Sequence, residues 1–223
     1  MAATGKLFGE FLCSLKSELK LPVGISCINP YLDREVRQQV KTFTEKFYSG
    51  KRKRILILGI NPGRFGAGIT GIPFTDPTAL DRHCGMPNSC IQKKELSSDF
   101  IYHLIEAYGG PRKFYDRFLI SSVCPLGFLK GSVNYNYYDS PQLLKSVNPF
   151  IRKSLLFHAS MSVSPEVVIS LGKKNALFLE SFNAEMKLFG SVVNLEHPRY
   201  IMQYKRKQLN SYIRDYLSVL SAF

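Results

Sequence analysis

The 223 residues are 45% hydrophobic and 21% charged, enough apolar material for a buried core and too much for a disordered chain. No apolar run approaches the ~20 residues of a membrane span, and no Pro-, Gly- or Ser-rich linker divides the chain, so one domain over 1–223 with no membrane partner is expected. Thirty Lys and Arg against seventeen Asp and Glu leave a net +13, a surplus that attracts polyanions, nucleic acid first among them.

In chain order, the stretch MAATGKLFGEFLCSLKSELK sets Lys, Glu and Ser at helical spacing among apolar residues. It reads as an amphipathic helix and not as a secretory signal, so the mature chain is expected to start here. Val36, Val40, Phe43 and Phe47 mark a second helix. Lys51-Arg52-Lys53-Arg54 reads as a solvated cap before the first strand, Ile55–Ile60. Phe100, Ile101, Leu104, Ile105 and Tyr108 give a helix before the second strand, Phe118–Val123. Leu143, Leu144, Val147, Ile151 and Leu155 give another before the third, Val167–Leu171. The run Val192–Leu195 is the fourth strand, and Leu209, Tyr212, Ile213, Tyr216, Leu217 and Leu220 close the chain as a helix. Each strand is a short β-branched run of the kind buried on both faces. Alternation with helices predicts an α/β fold: a central four-stranded parallel sheet with helices on both faces.

Five cysteines, Cys13, Cys27, Cys84, Cys90 and Cys124, are odd in number and irregular in spacing, which fits reduced thiols in the cytoplasm better than a disulfide framework. No C-x-x-C pair accompanies His83-Cys84 and Cys90, so no metal site is expected.

In a parallel sheet, ligands bind beyond the carboxyl ends of the strands. The first strand runs into GINPGRFGAGITGIPFTD, residues 59–76, whose glycines allow close backbone approach while its prolines stiffen the loop. Such a loop suits a pocket wall, with Gly59, Ile60, Pro62, Gly63, Phe65 and Gly71 as candidates to contact a ligand and Arg64 to face an anion. It matches no nucleotide-phosphate motif. Asn61, at the strand tip, offers both a donor and an acceptor and would hold a water. Phe74, after Gly71-Ile72-Pro73, could stack on a planar ligand or pack in the core. The second strand ends in Ser122-Val123-Cys124-Pro125, and the fourth in Glu196-His197-Pro198, where the proline fixes the turn and presents the imidazole at the same edge as Asn61. His83, His103 and His158 lack that placement and read as packing or surface residues. Beyond His197, Arg199 to Lys207 interleaves aromatic and basic residues, including Tyr200, Lys205 and Arg206, in a pattern able to grip phosphates and press into a base stack.

These motifs resemble the single-strand-selective monofunctional branch of the uracil-DNA glycosylase superfamily and its smaller bacterial relatives. Members carry G-[MI]-N-P-G-x-F-G and then T-G-[VI]-P-F, and this chain places Asn61 and Phe74 in GINPGRFG and TGIPF at the family's spacing. Ser122-Val123-Cys124-Pro125-Leu126 is similar to the family strand ending in C-P-L, Asn29-Pro30-Tyr31 to an upstream N-P-Y, and His197-Pro198 to the opening of a DNA-penetrating loop. The likeness extends from about residue 25 almost to the C-terminus.

The resemblance implies a three-layer α/β/α fold, no cofactor or metal, and removal of a deaminated base from DNA, single strands included; nothing in the sequence suggests an obligate assembly, so a monomer is expected. Phe74 would stack on the flipped base, Asn61 position the attacking water and His197 stabilise the departing base. Arg199, Tyr200, Ile201 and Met202 would form the wedge. The chain departs from the pattern where the family usually carries an asparagine that reads the uracil edge: it has Ser122, whose single hydroxyl specifies that edge less completely. Xanthine, hypoxanthine or a modified uracil are therefore further candidate bases, read with help from Asn134 or Asn136. Asp76 reads more readily as a helix N-cap before Pro77 than as an aid to the water.

Overall fold

The computed structural model describes residues 4–223. In chain order it comprises α1 (Thr4–Ser14), β1 (Ile25–Ile28), α2 (Arg34–Phe47), β2 (Arg54–Gly59), α3 (Ala67–Thr70), α4 (Pro77–Arg82), α5 (Leu96–Tyr108), α6 (Pro111–Arg117), β3 (Phe118–Ser122), β4 (Gly127–Lys130), β5 (Val133–Tyr135), α7 (Pro141–Ser160), β6 (Val163–Leu171), α8 (Lys173–Met186), β7 (Ser191–Leu195), α9 (Pro198–Tyr204) and α10 (Leu209–Ser221). Residues 1–3 of the amphipathic N-terminal stretch lie outside the described residues.

The four apolar runs become one sheet in the order β3-β2-β6-β7, with every pair parallel, so all the carboxyl ends share one edge. β2 is buried along its whole length because helices cover both faces of the sheet. Alternate residues of β3 show the two sides: Phe118 packs against Tyr108 and Phe114 of α5 and α6, whereas Ser121 bonds His158 of α7 at 2.8 Å. β2 connects onward to β3 on one side, and β6 lies on its other side, so the chain changes direction between β2 and β6 and opens a crevice beyond their tips.

A second sheet, the antiparallel ribbon β1-β4-β5, has no counterpart in the expected architecture. It lies against the carboxyl edge, where a side chain at Gly127 would collide with Pro62 O. The cap ahead of β2 also departs from expectation. Arg54 is fully buried: its Nε donates to Tyr115 O at 2.8 Å, its Nη1 to Gly50 O at 3.2 Å, and its guanidinium lies 5.5 Å from the Tyr48 ring centroid. Fixed carbonyls and an aromatic face replace water around the charge, which solvated Lys51 and Lys53 do not need. No helix among the described residues is long and apolar enough to cross a membrane, and the described cysteines are all free.

Candidate active site

Beyond the sheet's carboxyl edge lies a cavity of about 440 Å³, within the range of small-ligand pockets, to which all four strand tips contribute. Ile60 and Asn61 come from β2, Ser122 from β3, Gly172 from β6, and Glu196 with His197 from β7. Asn134 and Asn136 close one wall from β5 and the turn after it, and Arg199, Tyr200, Gln203 and Tyr204 another from α9. Asn61 and His197 thus face a single space.

The loop after β2 is held from within. Thr70 Oγ1 donates to Thr75 O at 2.6 Å and accepts from Ile72 N at 3.1 Å, and Gly71 ends α3 with φ +72°. This framework forces Phe74 to φ +55°, a left-handed conformation unusual for an aromatic residue. The Phe74 ring lies over Gly59, where a Cβ would stand 2.5 Å from Cζ. Gly59 therefore seats the aromatic plate and does not itself meet the cavity.

Asn61 ties two walls together. Its Oδ1 accepts from Tyr137 N at 3.1 Å, while its Nδ2 donates weakly to Tyr135 O at 3.3 Å and Pro62 O at 3.4 Å. One lone pair on Oδ1 is left to accept from a water.

His197 is the N-cap of α9, and its Nδ1 accepts from Arg199 N at 3.1 Å. With Nδ1 an acceptor, the proton of the neutral ring sits on Nε2. Burial, with the nearby Arg199 charge, pushes the imidazole down to about 4, so near neutrality it is an uncharged donor. Its ring centroid is 6.4 Å from that of Phe74, and Gly172 leaves it room, since a Cβ there would lie 3.2 Å from His197 Cβ.

Among the other candidate residues, Pro62, Gly63, Ser122, Asn134, Arg199 and Tyr200 line the cavity. Asn134 Oδ1 accepts from Arg64 N at 3.1 Å, and Arg64 Nη1 also donates to Ser132 O, tying the loop to the ribbon. Phe65 lies under the Arg64 guanidinium and is exposed outside the cavity. Gly71, Cys124 and Pro125 are buried behind the wall: Gly71 O accepts from Tyr31 Oη at 3.0 Å, and burial pushes the Cys124 thiol up. They support the pocket and cannot touch a base.

The wedge also needs correction. In α9, Ile201 and Met202 are buried, 0% and 3% exposed, because that face of the helix packs on α5. Helical spacing puts Arg199, Tyr200, Gln203 and Tyr204 on the opposite face. The rings of Tyr200 and Tyr204 are 5.5 Å apart and exposed, and form the accessible aromatic surface. Lys205 and Arg206 lie past the end of α9 outside the cavity.

Asp76 serves as the N-cap of α4. Its Oδ1 accepts from Ala79 N at 2.8 Å and its Oδ2 from Glu95 N at 2.9 Å, and the carboxylate is buried away from the cavity lining, so it is not placed to hold a water there. Two acidic groups do reach the cavity, Glu196 and Glu95, and Glu95 is one that sequence reasoning missed. Lys173, Lys174, Glu196, Tyr138, Gln203 and Tyr204 also line the cavity without having been expected. Tyr204 was within reach, one helical turn beyond Tyr200; Glu95, after a lysine pair in an irregular segment, carries no motif. No cluster of three metal-ligating side chains occurs among the described residues.

A family model described as "Uracil DNA glycosylase superfamily" matches residues 46–221. The chain belongs to that superfamily. The crystal structure of wild-type SMUG2 from Pedobacter heparinus is similar throughout, with 43% identity, a TM-score of 0.95, and coverage of 100% of this chain and 98% of that one. No curated protein sequence matches. The superfamily member thus combines the parallel sheet of its structural neighbour with the donor-rich cavity described above.

Proposed function

We propose that the protein is a DNA glycosylase that hydrolyses the N-glycosidic bond of uracil or another deaminated base, releasing the base and leaving an abasic site in an intact strand. The observation that carries this reading is the convergence of Asn61, His197 and the Phe74 plate on one cavity of nucleobase scale. Superfamily membership and the likeness to SMUG2 support it. The target base leaves the stack, enters the cavity and lies on Phe74. As the bond to C1′ breaks, positive charge grows on the sugar and negative charge on the base. The neutral His197 donates a hydrogen bond from Nε2 to that developing charge, and a water held by Asn61 Oδ1 adds to C1′ and gives up a proton to solvent as the departing base anion takes one up.

Tyr200, Tyr204 and Arg199 give the DNA an aromatic and basic rim, while Arg64, Lys205 and Arg206, the last paired with Asp99, lie outside the cavity and add to the positive charge that draws DNA. Monofunctional chemistry fits the two amines at the cavity, each beside a carboxylate: Lys173 lies 3.0 Å from Glu196, whose hydrogen bond and charge raise its pKa and disfavour the neutral nucleophile, and Lys174 lies 4.0 Å from Asp139. Action as a monomer on DNA in the cytoplasm, on the nucleoid in a bacterium, completes the reading.

The test is incision of single-stranded and duplex oligonucleotides containing uracil, xanthine or hypoxanthine, read after alkaline cleavage of abasic sites. The wild type is expected to cut at least one lesion, and Asn61→Ala and His197→Ala to be about 10²–10³-fold slower. Unchanged turnover in either variant removes that residue from the mechanism. A second reading, a base-binding protein without catalysis, draws on the backbone bonds that already occupy most of the Asn61 amide. Tight binding of every lesion with no incision would select it.

A further inference from the structure

The cavity holds one acid that this chemistry leaves idle. Glu95 immediately precedes α5, and its backbone is fixed by Asp76 Oδ2. Its carboxyl makes no hydrogen bond or ion pair with any described residue. It rests on the two glycines that follow Asn61: a Cβ at Gly63 would stand 2.7 Å from Oε1, and one at Gly66 would overlap Oε2. The same Gly63 position is 3.3 Å from Asn134 Nδ2, whose sister oxygen is already taken by Arg64 N. A carboxyl and a free amide donor therefore flank one stretch of the wall beside Asn61.

Charge decides which form of the acid is useful there. A carboxylate would repel a base that departs with negative charge, whereas a neutral acid would donate to it. Deamination turns an exocyclic amine, a hydrogen-bond donor, into a carbonyl, an acceptor. A wall presenting O–H beside N–H selects the carbonyl.

We propose that Glu95, as the neutral acid, donates a hydrogen bond beside Asn134 Nδ2 to an exocyclic carbonyl of the flipped base, and is the specificity-determining residue that separates deaminated bases from their amino-bearing parents. The inference rests on the glycosylase reading above. Burial first, and the Asp76 carboxylate second, push Glu95 up to about 7, against the opposing charge of Arg199 on α9. The other charged or titratable groups around the cavity are Lys173, Lys174, Glu196, Tyr138, Tyr200, Tyr204 and His197, of which His197 is neutral above about 4. Loss of the Glu95 proton turns the donor into an acceptor suited to an amine.

The experiment is the single-turnover rate of uracil release from a single-stranded oligonucleotide, at saturating enzyme, from pH 5.5 to 8.5. The wild-type rate is expected to fall about thirty-fold on passing through pH 7, the loss that follows if only the neutral acid is competent. Glu95→Gln, an amide donor at every pH, is expected to be several-fold slower at pH 5.5 and level from there to 8.5. Arg199→Ala, which removes the opposing charge, should move the fall to higher pH, and it keeps the test open should Glu95→Gln not fold. A level wild-type profile, a fall that persists in Glu95→Gln, or a midpoint unmoved in Arg199→Ala overturns the inference while leaving the glycosylase reading intact. Absence of incision at every pH defeats both.

Discussion

Phe74 holds its ring in place through a backbone conformation that resists it, and two substitutions separate the two effects. Phe74→Ala deletes a ring that is 9% exposed and packed on Gly59. Its cost is about 3 kcal/mol, the low end for a buried phenylalanine, because one side already faces a cavity. Alanine still has to adopt φ +55°, which costs a residue with a Cβ about 1–2 kcal/mol. Phe74→Gly loses the same ring but escapes that strain, against about 0.5–1 kcal/mol of extra unfolded-state entropy. The glycine variant should therefore be the more stable by about 0.5–1 kcal/mol, the reverse of the usual order of these residues. Urea denaturation of the two proteins side by side measures the difference. Equal stability, or a more stable alanine variant, would refute the assignment of strain to this position. Both variants should cleave about 10- to 100-fold more slowly than the wild type, since base–aromatic stacking contributes about 1–3 kcal/mol.

Burial holds the His158 imidazole down at about 3, while the unfolded chain protonates it near its ordinary 6.5. Below pH 6.5 unfolding therefore takes up a proton, and stability falls with pH by up to about 1.4 kcal/mol per unit until about pH 3. His158→Gln should remove about 2 kcal/mol of the stability lost between pH 7 and 5 in urea titrations; His197, depressed to about 4, leaves a residual slope of the same sign. An identical pH dependence in the variant would show that His158 is not held neutral. Arg54→Lys cannot reproduce the fork that reaches Tyr115 O and Gly50 O, and a loss of about 2–4 kcal/mol is expected by denaturant titration; a loss below 1 kcal/mol would count against a structural guanidinium. Tyr204→Ala should weaken binding of single-stranded DNA about 5- to 100-fold in fluorescence titrations, with little change in melting temperature because the ring is 65% exposed. Undiminished affinity would place the DNA elsewhere.

The parallel sheet was legible because β2 and β3 are covered on both faces, which leaves unbroken apolar runs such as Ile55 to Leu58, whereas the edge strand β7, expected to be equally buried, has only Leu195 fully inside. The ribbon was not. β1, β4 and β5 are three or four residues long, and Val133 in β5 is 64% exposed, so no stretch repeats long enough to show alternation. α8 opens on Lys173-Lys174-Asn175 and hides the buried stripe of Ala176, Leu179 and Phe182 behind it. In the site, residues at strand tips were readable because topology alone brings Asn61 and His197 to one edge. Glu95 owes its place to Asp76 Oδ2 and to two glycines far from it in sequence, a relation that no local pattern encodes. Ile201 and Met202 show the opposite failure, for an apolar pair beside basic residues looks the same whether it enters DNA or seals a helix onto the protein.

On the proposed mechanism, the grip of Asn61 on Tyr135 and Tyr137 yokes hydrolysis mechanically to base choice. A mutation that reshapes the ribbon to admit a larger heterocycle would tug on the same amide that is proposed to hold the water, so broadened selectivity would come with slackened turnover. Engineering for a new lesion would best begin at α9 or Ser122, which can be altered without pulling that tether.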